Sequence, residues 1–249
     1  MGTKYFRNFG LQAYRFGDNE KPVLFNDLSQ YVDIIDGLKD SVSFSTKHTI
    51  IAGDRPDTLS YKLYGTTDYY WTFFLMNDHI RESGWPIDTS VLLETAKEKY
   101  PHRVAVTNTV IADDFPVGTV VTGSSSSTVG TIVRRNLDLG QLFIDTVDDN
   151  NFEPAEQIQY TSSEGAFYSA QLIAESTQYN AVHHYEDANG DYVDLPLYDF
   201  GNIPSGATAV SYRKRMEDRN EELKAISVLK PSVIERVVSE FNNFHKQVS

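Results

Sequence analysis

The sequence predicts an α+β fold: a strand–helix–helix–strand module with an extended amino-terminal arm, an inserted small antiparallel β-barrel, and a carboxy-terminal β-hairpin followed by an amphipathic helix. Three observations carry this. Between Phe44 and Ile87 apolar residues recur at helical spacing with a turn former at each boundary. After Pro101 the composition turns to Thr, Val and Ile, with glycine recurring at 118, 123, 130 and 140. Beyond Pro231 one face of a helix is apolar at Val233, Ile234, Val237, Val238, Phe241 and Phe244.

The arm, residues 1–42, mixes Tyr5, Phe6, Phe9, Tyr14 and Phe16 with the turn formers Gly10, Gly17 and Pro22. Within it Leu28, Tyr31, Val32 and Ile35 stand at helical spacing before Gly37, so a short helix is expected there. The module and a following helix occupy 43–102. Phe44 to Ile51 alternates as a strand does, and Gly53-Asp54 turns the chain. Asp57 is expected to cap a first helix that ends at Gly65, and Asp68 a second that carries Trp71, Phe74 and Leu75. Gly84, Pro86 and Asp88 mark the exit into a closing strand, before a third helix through Val91, Leu92 and Ala96.

Residues 103–176 form the β-rich insertion, with short alternating runs at Thr119–Thr122, Val129–Val133 and Gln141–Val147. Ser124–Ser127 reads as a mobile hairpin tip. In 177–249 two β runs flank Asp187-Ala188-Asn189-Gly190, and Asn-Gly is a strong hairpin signal. A charged stretch, the alternating AISVL and the final helix follow.

Composition narrows the function classes. With 40% hydrophobic and 12% aromatic residues the chain can bury a core, and its 15 Tyr and 14 Phe also suit surfaces that partners cover. A net charge of −13 opposes duplex binding, which needs a basic face, so no nucleic-acid partner is expected. Cysteine is absent, which removes disulfides and thiolate metal sites. The start MGTKYFRNFGLQAYRFG has no continuous apolar stretch, and no run of about 18 apolar residues occurs, so a soluble chain made in the cytoplasm, with no membrane partner, is expected.

No local frame for catalysis is present: the sequence lacks a G-x-S-x-G elbow, a Walker A loop, G-x-G-x-x-G and H-E-x-x-H. His183-His184 is the most tempting pair, yet strand neighbours point to opposite faces and share a metal only at a bulge. Asp187, Asn189, Asp191 and Asp194 resemble a calcium loop, but the glycine falls at the fourth position and the twelfth is not acidic, so a plain turn is preferred. The expectation is a non-enzyme with no cofactor and no metal. Carboxylate pairs of the glycosidase kind are set by spatial separation, so a hidden hydrolase stays open as a competing class.

Ile51 to Asn77 resembles a LysM module in its strand, Gly-Asp turn and two short helices, although Arg55-Pro56-Asp57 departs from the usual spacing and weakens a sugar-binding reading. The combination Gly53-Asp54-Arg55-Pro56, Leu63-Tyr64-Gly65, Tyr70-Trp71, Leu75-Met76-Asn77-Asp78 and Gly84-Trp85 resembles the wedge proteins with a LysM-like domain found in baseplates of contractile-tailed (T4-like myovirus) bacteriophages. The arm, the hairpin at Asn189-Gly190, the stretch Asn220–Lys230 and the final helix fit that family, while the β-rich insertion lies outside its pattern.

The resemblance implies a structural virion protein of the tail baseplate, produced late, with no catalytic role. It would clasp the wedge core made by other baseplate wedge proteins, join neighbouring wedges, and permit addition of the sheath-initiating protein. A peptidoglycan- or glycan-binding LysM-type module is the alternative. Candidate partner contacts are Tyr69, Tyr70, Trp71, Trp85, Val237 and Phe241, with membership of the core as the competing reading for Trp71.

Overall fold

The computed structural model describes residues 11–15, 17, 21–26, 44–107, 111, 114–147, 150–195 and 203–248. In chain order the first elements are β1 (Leu11–Tyr14), β2 (Val23–Asn26), β3 (Ser45–Thr49), α1 (Pro56–Tyr64), α2 (Trp71–Met76), α3 (Asp78–Ser83) and α4 (Thr89–Lys99). Six strands follow: β4 (Arg103–Thr107), β5 (Val120–Gly123), β6 (Val129–Asn136), β7 (Gln141–Thr146), β8 (Gln157–Thr161) and β9 (Phe167–Thr177). The remainder is β10 (Val182–Glu186), β11 (Tyr192–Val193), β12 (Thr208–Ser211), α5 (Tyr212–Glu222), β13 (Ala225–Leu229) and α6 (Ile234–Val248). The fold is thus α+β, in two compact units: residues 1–88 with 219–249, and residues 89–218. The helix expected around Leu28–Ile35 lies outside the described residues.

In the first unit β1 and β2 pair as an antiparallel hairpin from Leu11 opposite Asn26 to Tyr14 opposite Val23. The chain then enters β3, turns at Gly53, whose φ of 83° suits glycine, and starts α1 at Pro56. Proline fits the first helical position because its missing N–H would have no partner there. The cap is therefore Arg55 and not Asp57: its N–H donates to Thr58 Oγ1 at 3.0 Å, and that hydroxyl donates back to the Arg55 carbonyl at 2.9 Å. Gly65, left-handed at φ 73°, ends the helix by donating to Tyr61 O. Asp68 likewise does not cap α2, which starts at Trp71 after a turn in which Thr72 Oγ1 donates to Tyr69 O.

The segment after α3 is not the strand that the sequence implies. Pro86 has no N–H to give to a ladder and Ile87 is exposed. The partner of β3 is instead β13, antiparallel from Ala225 opposite Thr49 to Leu229 opposite Ser45. Its Ile226, Val228 and Leu229 are buried, as a sheet against helices requires. Ile50, Leu59, Phe73, Ile80, Leu223, Ile226 and Val228 form one apolar cluster, and Trp71, Leu75, Met76, Leu229, Ile234, Val237 and Phe241 another.

In the second unit six antiparallel strands close into a barrel in the order β4-β7-β6-β5-β8-β9, with β9 returning to β4. The register places Ala105 beside Leu142 and Ile132 beside Ile144, and these fill the interior with Val121, Ile158 and Leu172. Gly130 has no room for a side chain, since a Cβ there would meet Ile144 Cγ2 at 2.5 Å. Val104 and Phe143 face outward and pack with Ala181 and Tyr212. Beyond the barrel, β10 lies between β11 and β12, with α5 following β12.

The Ser124–Ser127 turn is fastened, not a free tip. The buried Glu156 carboxylate accepts the N–H groups of Ser125 at 2.9 Å, Ser126 at 3.0 Å and Glu153 at 2.6 Å, and the Ser126 hydroxyl at 2.8 Å. Burial by itself would raise the Glu156 pKa, but the donors outweigh it and hold the carboxyl below its ordinary value. The carboxylate's stabilisation is therefore present above the ordinary carboxylate range and is lost as pH falls through the lowered folded value.

Glu156→Ala should lower the second unit's urea midpoint, because it removes the charged acceptor that fastens the serine turn, at a cost of about 1.5–3 kcal/mol; urea denaturation followed by circular dichroism checks this. Phe241→Ala should cost the first unit about 3–5 kcal/mol, read by the same method.

Candidate functional site

The residues of the recognised pattern gather in the first unit, where each has a structural partner. Asp54 is buried beside Lys62, with Oδ1 at 2.5 Å from Nζ, and its carbonyl accepts the Trp85 indole N–H at 2.7 Å. The Gly53 N–H donates to Asp88 at 3.0 Å. The Trp85 ring lies against Phe73 and Phe74, with centroids at 6.0 and 5.8 Å. Tyr64 donates its hydroxyl to Leu229 O at 2.9 Å, and burial of that phenol pushes its pKa well above the ordinary range.

Two asparagines act as side-chain peptide groups. Asn77 ends α2 in an extended conformation, so its amide can reach β13: Nδ2 donates to Ser227 O at 2.8 Å and Oδ1 accepts Ser227 N–H at 2.7 Å. The same Nδ2 also donates to Phe73 O at 2.8 Å. Asn220 does likewise for Ile87, accepting its N–H and donating to its carbonyl, both at 2.9 Å. Asn77 was legible as part of a pattern; its role as an edge partner was not, because Ser227 lies 150 residues away.

The candidate contact residues divide by burial. Trp71, Val237 and Phe241 are only 8%, 5% and 2% exposed, and Trp71 meets Phe241 at a centroid distance of 4.9 Å. The apolar face of α6 is thus spent, through Phe241, inside the unit's own core. Tyr69, Tyr70 and Trp85 are half-buried and keep part of their surface. Tyr69 stands edge-on to Tyr64 at 5.9 Å, and its phenol is pushed up by partial burial and by the nearby Glu235 and Asp68 carboxylates. Sequence reasoning missed the β1–β2 hairpin as a surface: Leu11 and Leu24 are 66% and 62% exposed on a two-stranded sheet.

Asp187 closes the Asn189-Gly190 turn by accepting the N–H groups of Asn189 at 2.8 Å and Asp191 at 3.0 Å, which hold its carboxyl below the ordinary value. His183 and His184 do come together, since the pairing of β10 with β12 carries a bulge between Val182 and His184. Their Nδ1 atoms are 2.8 Å apart. No group of three or more His, Asp or Glu that could hold a metal occurs among the described residues. No helix among them is long and apolar enough to cross a membrane.

Trp85→Phe keeps the ring contacts and deletes the bond to Asp54 O. The first unit should lose about 1 kcal/mol, measured as a shift in its urea midpoint.

No curated protein matches the chain. Residues 20–107, from the approach to β2 through β4, match the family described as base plate wedge protein 53, and this similarity supports a phage baseplate wedge protein with a structural role in the virion tail.

Proposed function

We propose that the chain clasps the core of a phage baseplate wedge and joins adjacent wedges during baseplate assembly, in contact with other wedge proteins and with the sheath-initiating protein. The match over residues 20–107 carries this reading. Two features of the fold support it. The recognised residues hold the first unit together, as in a scaffold whose task is to keep a shape, and the hairpin at the arm exposes apolar side chains that water does not favour. A two-stranded hairpin is marginal by itself, so cover from another protein would stabilise it.

Within this reading β3, α1, α2 and β13 correspond to a LysM-like module whose second strand arrives after the second unit has been inserted in the chain. Tyr69, Tyr70 and Trp85, which keep part of their surface, are the contacts proposed on that module; Trp71, Val237 and Phe241 serve by holding α2 and α6 together. The protein would act in the virion after synthesis in the host cytoplasm.

Removing the chain from a phage that encodes it should leave wedge components that fail to close into complete baseplates, seen by electron microscopy, with rescue by the wild-type chain. Leu11→Asp with Leu24→Asp should reduce incorporation at least tenfold while circular dichroism of the isolated protein is unchanged. Complete baseplates without the chain would overturn the proposal, as would capture by peptidoglycan in place of tail proteins.

A further inference from the structure

The two histidines of β10 belong to a continuous hydrogen-bonded chain in the second unit. At one end His184 Nε2 lies 2.7 Å from Glu186 Oε1; at the other, the Arg215 guanidinium of α5 lies 3.1 Å from His183 Nε2. Between them the rings touch, Nδ1 to Nδ1 at 2.8 Å. The ends set the direction. A guanidinium only donates, so His183 Nε2 accepts, and the ring proton of neutral His183 sits on Nδ1. That N–H donates to His184 Nδ1, and His184 Nε2–H donates to the Glu186 carboxylate. One set of tautomers satisfies every contact.

The surroundings hold both rings in place. The Tyr192 ring of β11 stacks on His184 with centroids 3.8 Å apart, and its hydroxyl is 3.3 Å from His183 Nδ1. Tyr212 of α5 stands edge-on to His183 at 4.8 Å. The charged and titratable groups around His183 are thus His184 and Glu186 on its own strand, Tyr192 on β11, Arg215 and Tyr212 on α5, and Arg134 on β6. Lys214 of α5 adds a positive charge acting on Glu186.

We propose that this chain is a one-proton latch, which fastens Arg215 and the first turn of α5 to β10 and releases them when a proton is taken up. The incoming proton binds His183 Nε2, the atom that accepts from Arg215. His183 thereby becomes an imidazolium whose Nδ1–H still donates to His184 Nδ1, and His184 keeps its bond to Glu186. One N–H bond is gained in total and the net charge rises by one. His183 then presents an N–H to a guanidinium N–H, two donors with no acceptor between them, so Arg215 leaves. Burial, then the positive Arg215, pull His183 from its ordinary 6.5 to about 4, which keeps the latch closed at neutral pH. The unfolded chain binds more protons between those values, so the latch's stabilisation is complete above the ordinary value and is lost as pH falls toward about 4.

Imidazole ¹⁵N NMR of the full-length protein, titrated from neutral pH into acid, tests this. At neutral pH His183 should carry its proton on Nδ1 and His184 on Nε2. In acid His183 should gain its second ring proton, and in the same step amide exchange of Tyr192 and Val193 and of the first turn of α5 should quicken while the barrel strands stay protected. Arg215→Met, which removes the cation and the donor, should raise the midpoint by on the order of one pH unit. A proton on His183 Nε2 at neutral pH, amide exchange that does not follow the His183 titration, or an unmoved midpoint in Arg215→Met would each overturn the latch; the first two are read on the wild-type chain alone.

Discussion

The first unit depends on the pairing of β3 with β13, two strands supplied by distant stretches of the chain. A two-stranded sheet has two open edges and too little area to stand alone in water. Asn77 deals with one of those edges, because its amide offers the outward groups of Ser227 both a donor and an acceptor, as a third strand would. The same residue breaks the helix between α2 and α3 and bonds the Phe73 carbonyl, so that one side chain ties the helical layer to the sheet. Burial of Ile226, Val228 and Leu229 against Leu59, Phe73 and Trp71 then supplies the apolar stabilisation.

This arrangement changes what the recognisable pattern means. Gly53, Asp54, Arg55, Pro56, Gly65, Asn77 and Trp85 form turns, caps and cross-links, and Asp54 and Trp85 in particular bind each other across the segment that contains α1, α2 and α3. A pattern made of such residues identifies a shape, and surfaces for partners are to be sought where the shape leaves apolar groups uncovered. The β1–β2 hairpin and the half-buried Tyr69 and Tyr70 are such places in the first unit. In the charge-rich helix α5, by contrast, Arg213 is paired within the helix, with Glu217 at 2.7 Å.

The second unit solves the edge problem by closure, since a barrel has no free strand. Its turns are fixed from within: Glu156 neutralises the exposed N–H groups of the Ser124–Ser127 turn, and Arg135 donates to the carbonyls of Ile111 and Phe115 at 3.1 and 3.0 Å. A buried carboxylate surrounded by donors is more demanding than an apolar contact, because without those donors its charge would be stranded in a low-dielectric interior.

Periodicity and turn chemistry in the sequence determined the mixed fold class, the helices after Pro56 and Trp71, the β character beyond Pro101 and the helix after Pro231, because these are local properties of adjacent residues. The wedge-protein resemblance was also legible, being carried by short segments within the matched stretch. Tertiary structure alone decided that β13 and not the Gly84–Asp88 segment closes the sheet, that Ile234, Val237 and Phe241 of α6 are buried in the unit's own core, that the serine turn is held by Glu156, and that a bulge brings His183 and His184 together. Each of these depends on which distant groups meet, and a one-dimensional pattern records the need of a side chain for a partner without recording which partner meets it.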